Sequence, residues 1–171
     1  AGGIDFGTGA SKTMTLNGTL AFTAGTLEMS GSAGNILDLK GAGNSGGGTF
    51  GTCTNNPEVR YSRAGDQNVI SMNYCSLTLT GSGTKTMLGA TGVNNDLAIS
   101  GTAALYTNTF QITGNATGLF TMGAGTFLRL GNTGNATAVL FPTGFTAANI
   151  TLDLNSTVTY QANTDQAVSN I

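Results

Sequence analysis

Histidine and tryptophan are absent from this chain, and only six basic and eight acidic residues occur among its 171. Without His, the commonest general base and metal ligand is missing. Two Cys with no His partners cannot close a zinc site, and calcium repeats of the Gly-Gly-x-Gly-x-Asp type do not occur. The sequence therefore nominates no catalytic residue, no cofactor and no metal, and it reads as non-enzymatic. A net charge of −2 gives no cationic field to hold nucleic acid or an anionic membrane. No apolar run approaches the roughly 20 residues that a membrane-spanning helix needs, so membrane insertion is not expected.

Gly, Thr, Asn and Ser are abundant and together make up about half of the chain. So much β-branched Thr, with so little Lys and Glu, makes a weak helix former and a good strand former. The apolar fraction of 39% at low charge does not fit a disordered chain. One all-β domain over residues 1–171, large enough for a core, is the expectation. The sequence starts Ala1-Gly2-Gly3 without Met, which fits a processed secreted chain or a fragment boundary equally well. An even count of two Cys in an exported protein favours a disulfide between Cys53 and Cys75, with two free buried thiols as the alternative.

A short pattern recurs along the chain: apolar, any residue, apolar, polar, Gly. It occurs at Leu27–Gly31, Leu37–Gly41, Leu77–Gly81, Leu97–Gly101 and Phe110–Gly114, and nearly so at Phe127–Gly131. Alternation of period two marks a strand with one buried face, and the Gly that follows lets the chain turn a corner. Inward positions are expected to be apolar, among them Leu77, Leu79, Leu97, Ile99, Phe110 and Ile112, with Thr, Asn and Ser pointing outward. Longer units lie above this motif. Val59–Val69 matches Val158–Val168 at an offset of 99, with Val, Tyr, Asp, Gln and Val identical. Gly81–Met87 matches Gly7–Met14 with one inserted residue. Two repeat units, about 4–76 and 77–171, follow, and such repetition argues for stacked coils that each bury a face against the next.

Val59–Val69, Tyr74–Met87 and Thr157–Val168 resemble the Thr/Gly/Asn-rich repeat domains of large secreted surface proteins from Bacteroidota-type bacteria. In those proteins a Val-x-Tyr strand, a Gln-Val step and a Leu-Thr-Leu-x-Gly-Ser-Gly-Thr-Lys-Thr segment alternate. The resemblance implies a right-handed parallel β-helix (a β-solenoid), export to the cell surface and a structural or adhesive role. With coils of about 22 residues, at the short end of what stacked repeats use, the chain would make about eight short coils. Cys53 and Cys75 lie one coil length apart and could staple two coils.

The matched segments sit so that Gln67 precedes Leu77 by ten residues. If Ile171 were joined to a following Ala1, Gln166 would precede Ile4 by nine. Each end therefore reads as half of a junction. The expected function is an extracellular structural subunit that stacks head to tail with itself into a fibre or sheath. Ile4 and Phe6 would meet Val158, Tyr160, Val168 and Ile171. The alternative is an adhesin or glycan-binding repeat module of a longer surface protein. Gly81–Thr86 lacks the Gly-Lys-Ser/Thr spacing and following helix of a phosphate loop, so it reads as a repeated turn. Glu28 and Asp38 occupy the same place in adjacent motifs and could lie side by side. Asp66 and Asp165 recur at equivalent places, which suits turns better than catalysis. Tyr61 and Tyr160 also share one repeat position, as stacked packing residues.

Overall fold

The computed structural model describes residues 4–169. It is all-β: twenty strands of two to six residues, with one 3-10 turn at Ala147–Asn149 and no α-helix among the described residues. Every strand-to-strand pairing is parallel, and up to β18 each joins a strand to the third one along the chain. Three sets result. The first holds β1 (Ile4–Asp5), β4 (Thr26–Glu28) and β7 (Thr49–Phe50) in one sheet, and β10 (Asn73–Tyr74), β13 (Thr91–Val93) and β16 (Ile112–Thr113) in another. The second is one sheet of seven: β2 (Thr13–Leu16), β5 (Ile36–Leu39), β8 (Glu58–Tyr61), β11 (Ser76–Leu79), β14 (Leu97–Ile99), β17 (Phe120–Met122) and β19 (Ile150–Leu152). The third holds the pair β3 (Ala21–Phe22) and β6 (Ser45–Gly46). Its larger sheet is β9 (Gln67–Val69), β12 (Ser82–Met87), β15 (Thr102–Tyr106), β18 (Phe127–Leu130) and β20 (Thr157–Tyr160).

Register turns the period-two motif into continuous apolar columns. Leu37, Val59, Leu77, Leu97, Phe120 and Ile150 are successive partners, and so are Leu39, Tyr61, Leu79, Ile99, Met122 and Leu152. All but Ile150 and Leu152, in the last layer, are buried. Each such side chain contributes about 1.5–3 kcal/mol on leaving water. The turns that separate neighbouring strands of this sheet are unequal in length. The shortest carries the chain from Glu58 to its partner Ser76, and the longest from Phe120 to Ile150. That long last turn carries Val139, Phe141 and Phe145 into the core, where both Phe rings pack on Phe120 at 5.4 and 5.7 Å.

Corners between strands need Gly where two layers touch. Gly81 and Gly101 have φ of +81° and +67°. A Cβ on either would stand 2.5 or 2.6 Å from a carbonyl oxygen of the layer before. Cys53 and Cys75 are disulfide-bonded with Cα atoms 5.1 Å apart, tying the segments that lead into β8 and β11. A loop of 22 residues closed this way stabilises the fold by roughly 3 kcal/mol on the chain-entropy model.

Several outward and inward assignments change. At Phe127–Gly131 the buried residues are Leu128 and Leu130, and Phe127 is exposed. One residue of shift exchanges the two faces of a strand. Phe110 precedes β16 and is only half-buried. Asn does not always point outward: Asn35 and Asn44 are fully buried. Their amide oxygens accept the Lys12 and Leu20 N–H groups of the layer before, and their NH2 groups donate to the Met29 and Gly41 carbonyls. Glu28 and Asp38 lie in β4 and β5, on different sheets, and the nearly buried Asp38 accepts from the Ser62 hydroxyl.

Candidate functional site

The segment Val59–Val69 runs through β8, turns a corner and enters β9. Tyr61 is fully buried there, and its hydroxyl accepts the Ile70 N–H at 3.0 Å. Tyr74 gives its only hydroxyl proton to the Ile70 carbonyl at 2.6 Å, so Tyr61 is the donor in the 2.8 Å contact between the two hydroxyls. Burial pushes the Tyr61 pKa up to about 12, opposed by its bonds to Tyr74 and Ile70, and raises Tyr74 as well. Gln67 clamps the turn: its carbonyl accepts the Arg63 N–H at 3.3 Å, and its NH2 donates to the Leu39 and Gly41 carbonyls of the layer before.

The following layer covers this corner. Leu77 and Leu79 of β11 stand on Val59 and Tyr61, and Lys85 and Met87 of β12 stand on Gln67 and Val69. Lys85 is fully buried, and its ammonium donates to the Arg63 and Gly65 carbonyls at 2.6 and 3.0 Å. Desolvation, and after it the Arg63 charge, lower its pKa to about 8 against the opposing pull of Asp66. Asp66 also accepts the Thr84 N–H at 2.8 Å.

The same corner recurs at Val158–Val168. The Ala162 N–H donates to the Gln166 carbonyl at 2.6 Å, and the Ser169 N–H donates to the Tyr160 hydroxyl at 3.3 Å. The Gln166 NH2 reaches back to the Val139 carbonyl at 2.9 Å. Each bond has its counterpart in the first copy. Six of the eleven positions differ between the copies, and among them Thr164 stands where the first copy has Gly65, whose φ is +123°. The two copies also lie on different sheets, Tyr61 in β8 and Tyr160 in β20, so the two tyrosines do not stack on each other.

No layer covers the second copy among the described residues. Val158 and Tyr160 are half-buried in β20, an edge strand. Val168 is 75% exposed, against 1% for Val69. At the opposite end β1, β2 and β3 are edge strands. Ile4 is half-buried there, Met14 is 38% exposed and Lys12 is exposed, its ammonium donating to its own segment's Phe6 and Thr8 carbonyls. Phe6, expected at the assembly end, is buried at 6% exposure against its own chain. Ile171 lies outside the described residues.

A shallow groove of about 190 Å3 runs along the first set, lined by Asn73, Ala90, Thr91, Gly92, Gln111 and Thr113. Among the described residues no three His, Cys, Asp or Glu come together as a metal site, and no helix is long and apolar enough to cross a membrane. No family model, curated protein or solved structure matches this chain.

Sequence reasoning missed the burial of Lys85, the Tyr61–Tyr74 pair and the buried Asn35 and Asn44. For Lys85 a signal was present. In a chain with six basic residues, the recurrence of Lys at positions 12 and 85 of matched segments marks a role in the repeat, although only Lys85 is enclosed.

Proposed function

We propose that the chain is a non-enzymatic structural subunit that stacks head to tail with further copies of itself into a fibre or sheath outside the cell. The underlying fold is a right-handed parallel β-helix of about eight short coils. The seven strands of the largest sheet support that count, with Gln161–Ser169 as the start of a further coil. Right-handedness follows from the strong bias of parallel crossovers. The observation that carries the reading is the second corner: it holds the hydrogen-bond frame of a corner built to be covered, and no layer among the described residues covers it.

Assembly would proceed by strand addition. The edges of β19 and β20 offer unpaired backbone groups, and neither strand carries a charge to blunt that edge. The apolar core ends at Ile150, Leu152, Val158 and Tyr160 and would continue into the opposite end of the next copy, Ile4 and Met14 among its residues. All strands run parallel, so the two ends differ and contact between them is head to tail. Such an interface does not close on itself and generates a filament. The Cys53–Cys75 bridge and the resemblance to secreted repeat domains support an extracellular, cell-surface location.

Electron microscopy of the purified chain, with its mass measured in solution, tests this reading. Unbranched fibres with an axial repeat of roughly 35 Å, seven to eight layers at about 4.8 Å each, are the expected result. Stable monomers at all concentrations would sink it. The second reading, an adhesin or glycan-binding module of a longer surface protein, is favoured by the groove along the first set, where Asn73, Gln111 and Thr113 bring polar side chains together. Monomers that bind a surface polysaccharide, and lose it when Asn73 is replaced by Ala, would establish that one instead.

A further inference from the structure

Resting on the stacking reading above, we infer that the partner on the second corner is residues 4–14 of another copy of this chain, seated in one register, with Lys12 entering the corner as Lys85 enters the first. Ile4–Met14 and Leu77–Met87 are equally long: with the corner glycine one residue earlier and one residue inserted after it in the first segment, Ile4 falls with Leu77, Phe6 with Leu79, and Lys12-Thr13-Met14 with Lys85-Thr86-Met87. The covering half of the junction therefore occurs twice in the chain, as the covered half does. In the first pairing Leu77 stands on Val59, Leu79 on Tyr61, Lys85 on Gln67, Thr86 on Asn68 and Met87 on Val69. Carried over residue by residue to the other copy of each half, this sets Ile4 on Val158, Phe6 on Tyr160, Lys12 on Gln166, Thr13 on Ala167 and Met14 on Val168.

Charge and exposure fit that seat. Lys85 shares its corner with a cation, Arg63, and an anion, Asp66. At the second corner Ala162 replaces Arg63, while Asp165 keeps the place of Asp66. An arriving Lys12 ammonium would meet the Ala162 and Thr164 carbonyls and one carboxylate, with no like charge beside it. Asp165 would take the Ser11 N–H as Asp66 takes that of Thr84. Val168 and Met14, the most exposed of the matched apolar residues, would cover each other.

The register also fixes how copies are turned. β20 belongs to the third set of strands and β1 to the first, so each copy is rotated about the fibre axis by one set relative to the copy before it. An unrotated stack would instead continue the seven-stranded sheet and bring β2 onto β19.

Paired cysteines separate these arrangements. Directly paired residues of adjacent strands lie within disulfide range. Thr13→Cys with Ala167→Cys reports the rotated register, and Thr15→Cys with Thr151→Cys reports the unrotated one; all four positions are exposed in the single chain. Under mild oxidation the first pair is expected to give a ladder of covalent oligomers on a gel and the second none. A ladder from the second pair alone, or fibres with no ladder from the first, would overturn this register and leave stacking intact. Monomers throughout would overturn both. Lys12→Ala is expected to raise the concentration needed for fibres by about tenfold or more, the worth of one charge-assisted hydrogen bond, with the single chain's unfolding midpoint unchanged. An unchanged assembly threshold would remove Lys12 from the interface.

Discussion

The corners at Val59–Val69 and Val158–Val168 share a sequence pattern and an internal hydrogen-bond frame, yet among the described residues the first is covered and the second is not. In both, a Gln side chain bridges the turn and a Tyr hydroxyl holds the backbone N–H nine residues on. The difference lies in the following layer. Where β11 and β12 cover the corner, Tyr61 and Val69 are dry and Lys85 is enclosed. Where no layer follows among the described residues, Tyr160 is half-buried and Val168 mostly exposed. The corner's geometry is thus set locally, by its own Gln and Tyr, while its burial is set by what stacks on it. A repeat architecture behaves this way because each unit touches only its neighbours.

The two lysines give the largest expected contrast. Lys85→Ala removes a buried stem and leaves the Arg63 and Gly65 carbonyls without their donor. It should cost about 3 kcal/mol of unfolding free energy in urea. Lys12→Ala in the unassembled chain should stay within about 0.5 kcal/mol of wild type, as an exposed substitution does. Equal effects from both would mean that the covering layer does not create the difference between the corners.

A smaller contrast is expected at the tyrosines. Tyr61→Phe deprives the Ile70 N–H of its acceptor in a dry site and removes the donor to Tyr74. It should destabilise by about 2 kcal/mol. Tyr160→Phe loses a single bond at the surface, to Ser169, and should cost about 0.5 kcal/mol or less in the single chain. In assembled fibres the second value should rise toward the first, and thermal melts of fibres and single chains would read that rise directly.

These contrasts also explain what the sequence could and could not carry. Alternation at Leu37–Leu39, Leu77–Leu79 and Leu97–Ile99 marked strands because a half-buried strand imposes period two, and those residues form the columns. The match between Val59–Val69 and Val158–Val168 was readable for the same reason: a corner repeated in structure demands the same Gln and Tyr. Burial of Asn35 and Asn44 was not readable, because each depends on an N–H group brought from another layer, far away in the sequence. The pattern does not fix the faces of Phe127–Leu130, because Phe, Leu and Leu offer apolar residues to both sides of the strand. The placement of the second corner on a different set of sheets depends on how many turns lie between the copies. Turns as unequal as Glu58 to Ser76 and Phe120 to Ile150 leave no single period to count with.

The smallest expected effect is a pH dependence belonging to the covered corner alone. Lys85 has its pKa lowered to about 8 from its ordinary 10.5, chiefly by desolvation. Between those values the unfolded chain holds a proton that the folded chain has released, so stability rises with pH. Tyr61 is raised by burial from 10 to about 12, and Tyr74 is raised too. Above pH 10 the folded chain keeps protons that the unfolded chain loses, so stability falls. Urea unfolding from pH 7 to 11 should therefore show a plateau below about pH 8, a climb to a maximum near pH 10, and a decline beyond it. The climb should be on the order of 1 to 2 kcal/mol, because the carbonyl bonds of Lys85 favour its charged form and offset part of the desolvation. In Lys85→Ala the climb should vanish while the decline remains. Tyr61→Phe should weaken the decline and keep the climb. A climb that survives in Lys85→Ala would assign it to another group and separate the enclosed lysine from the corner's stability.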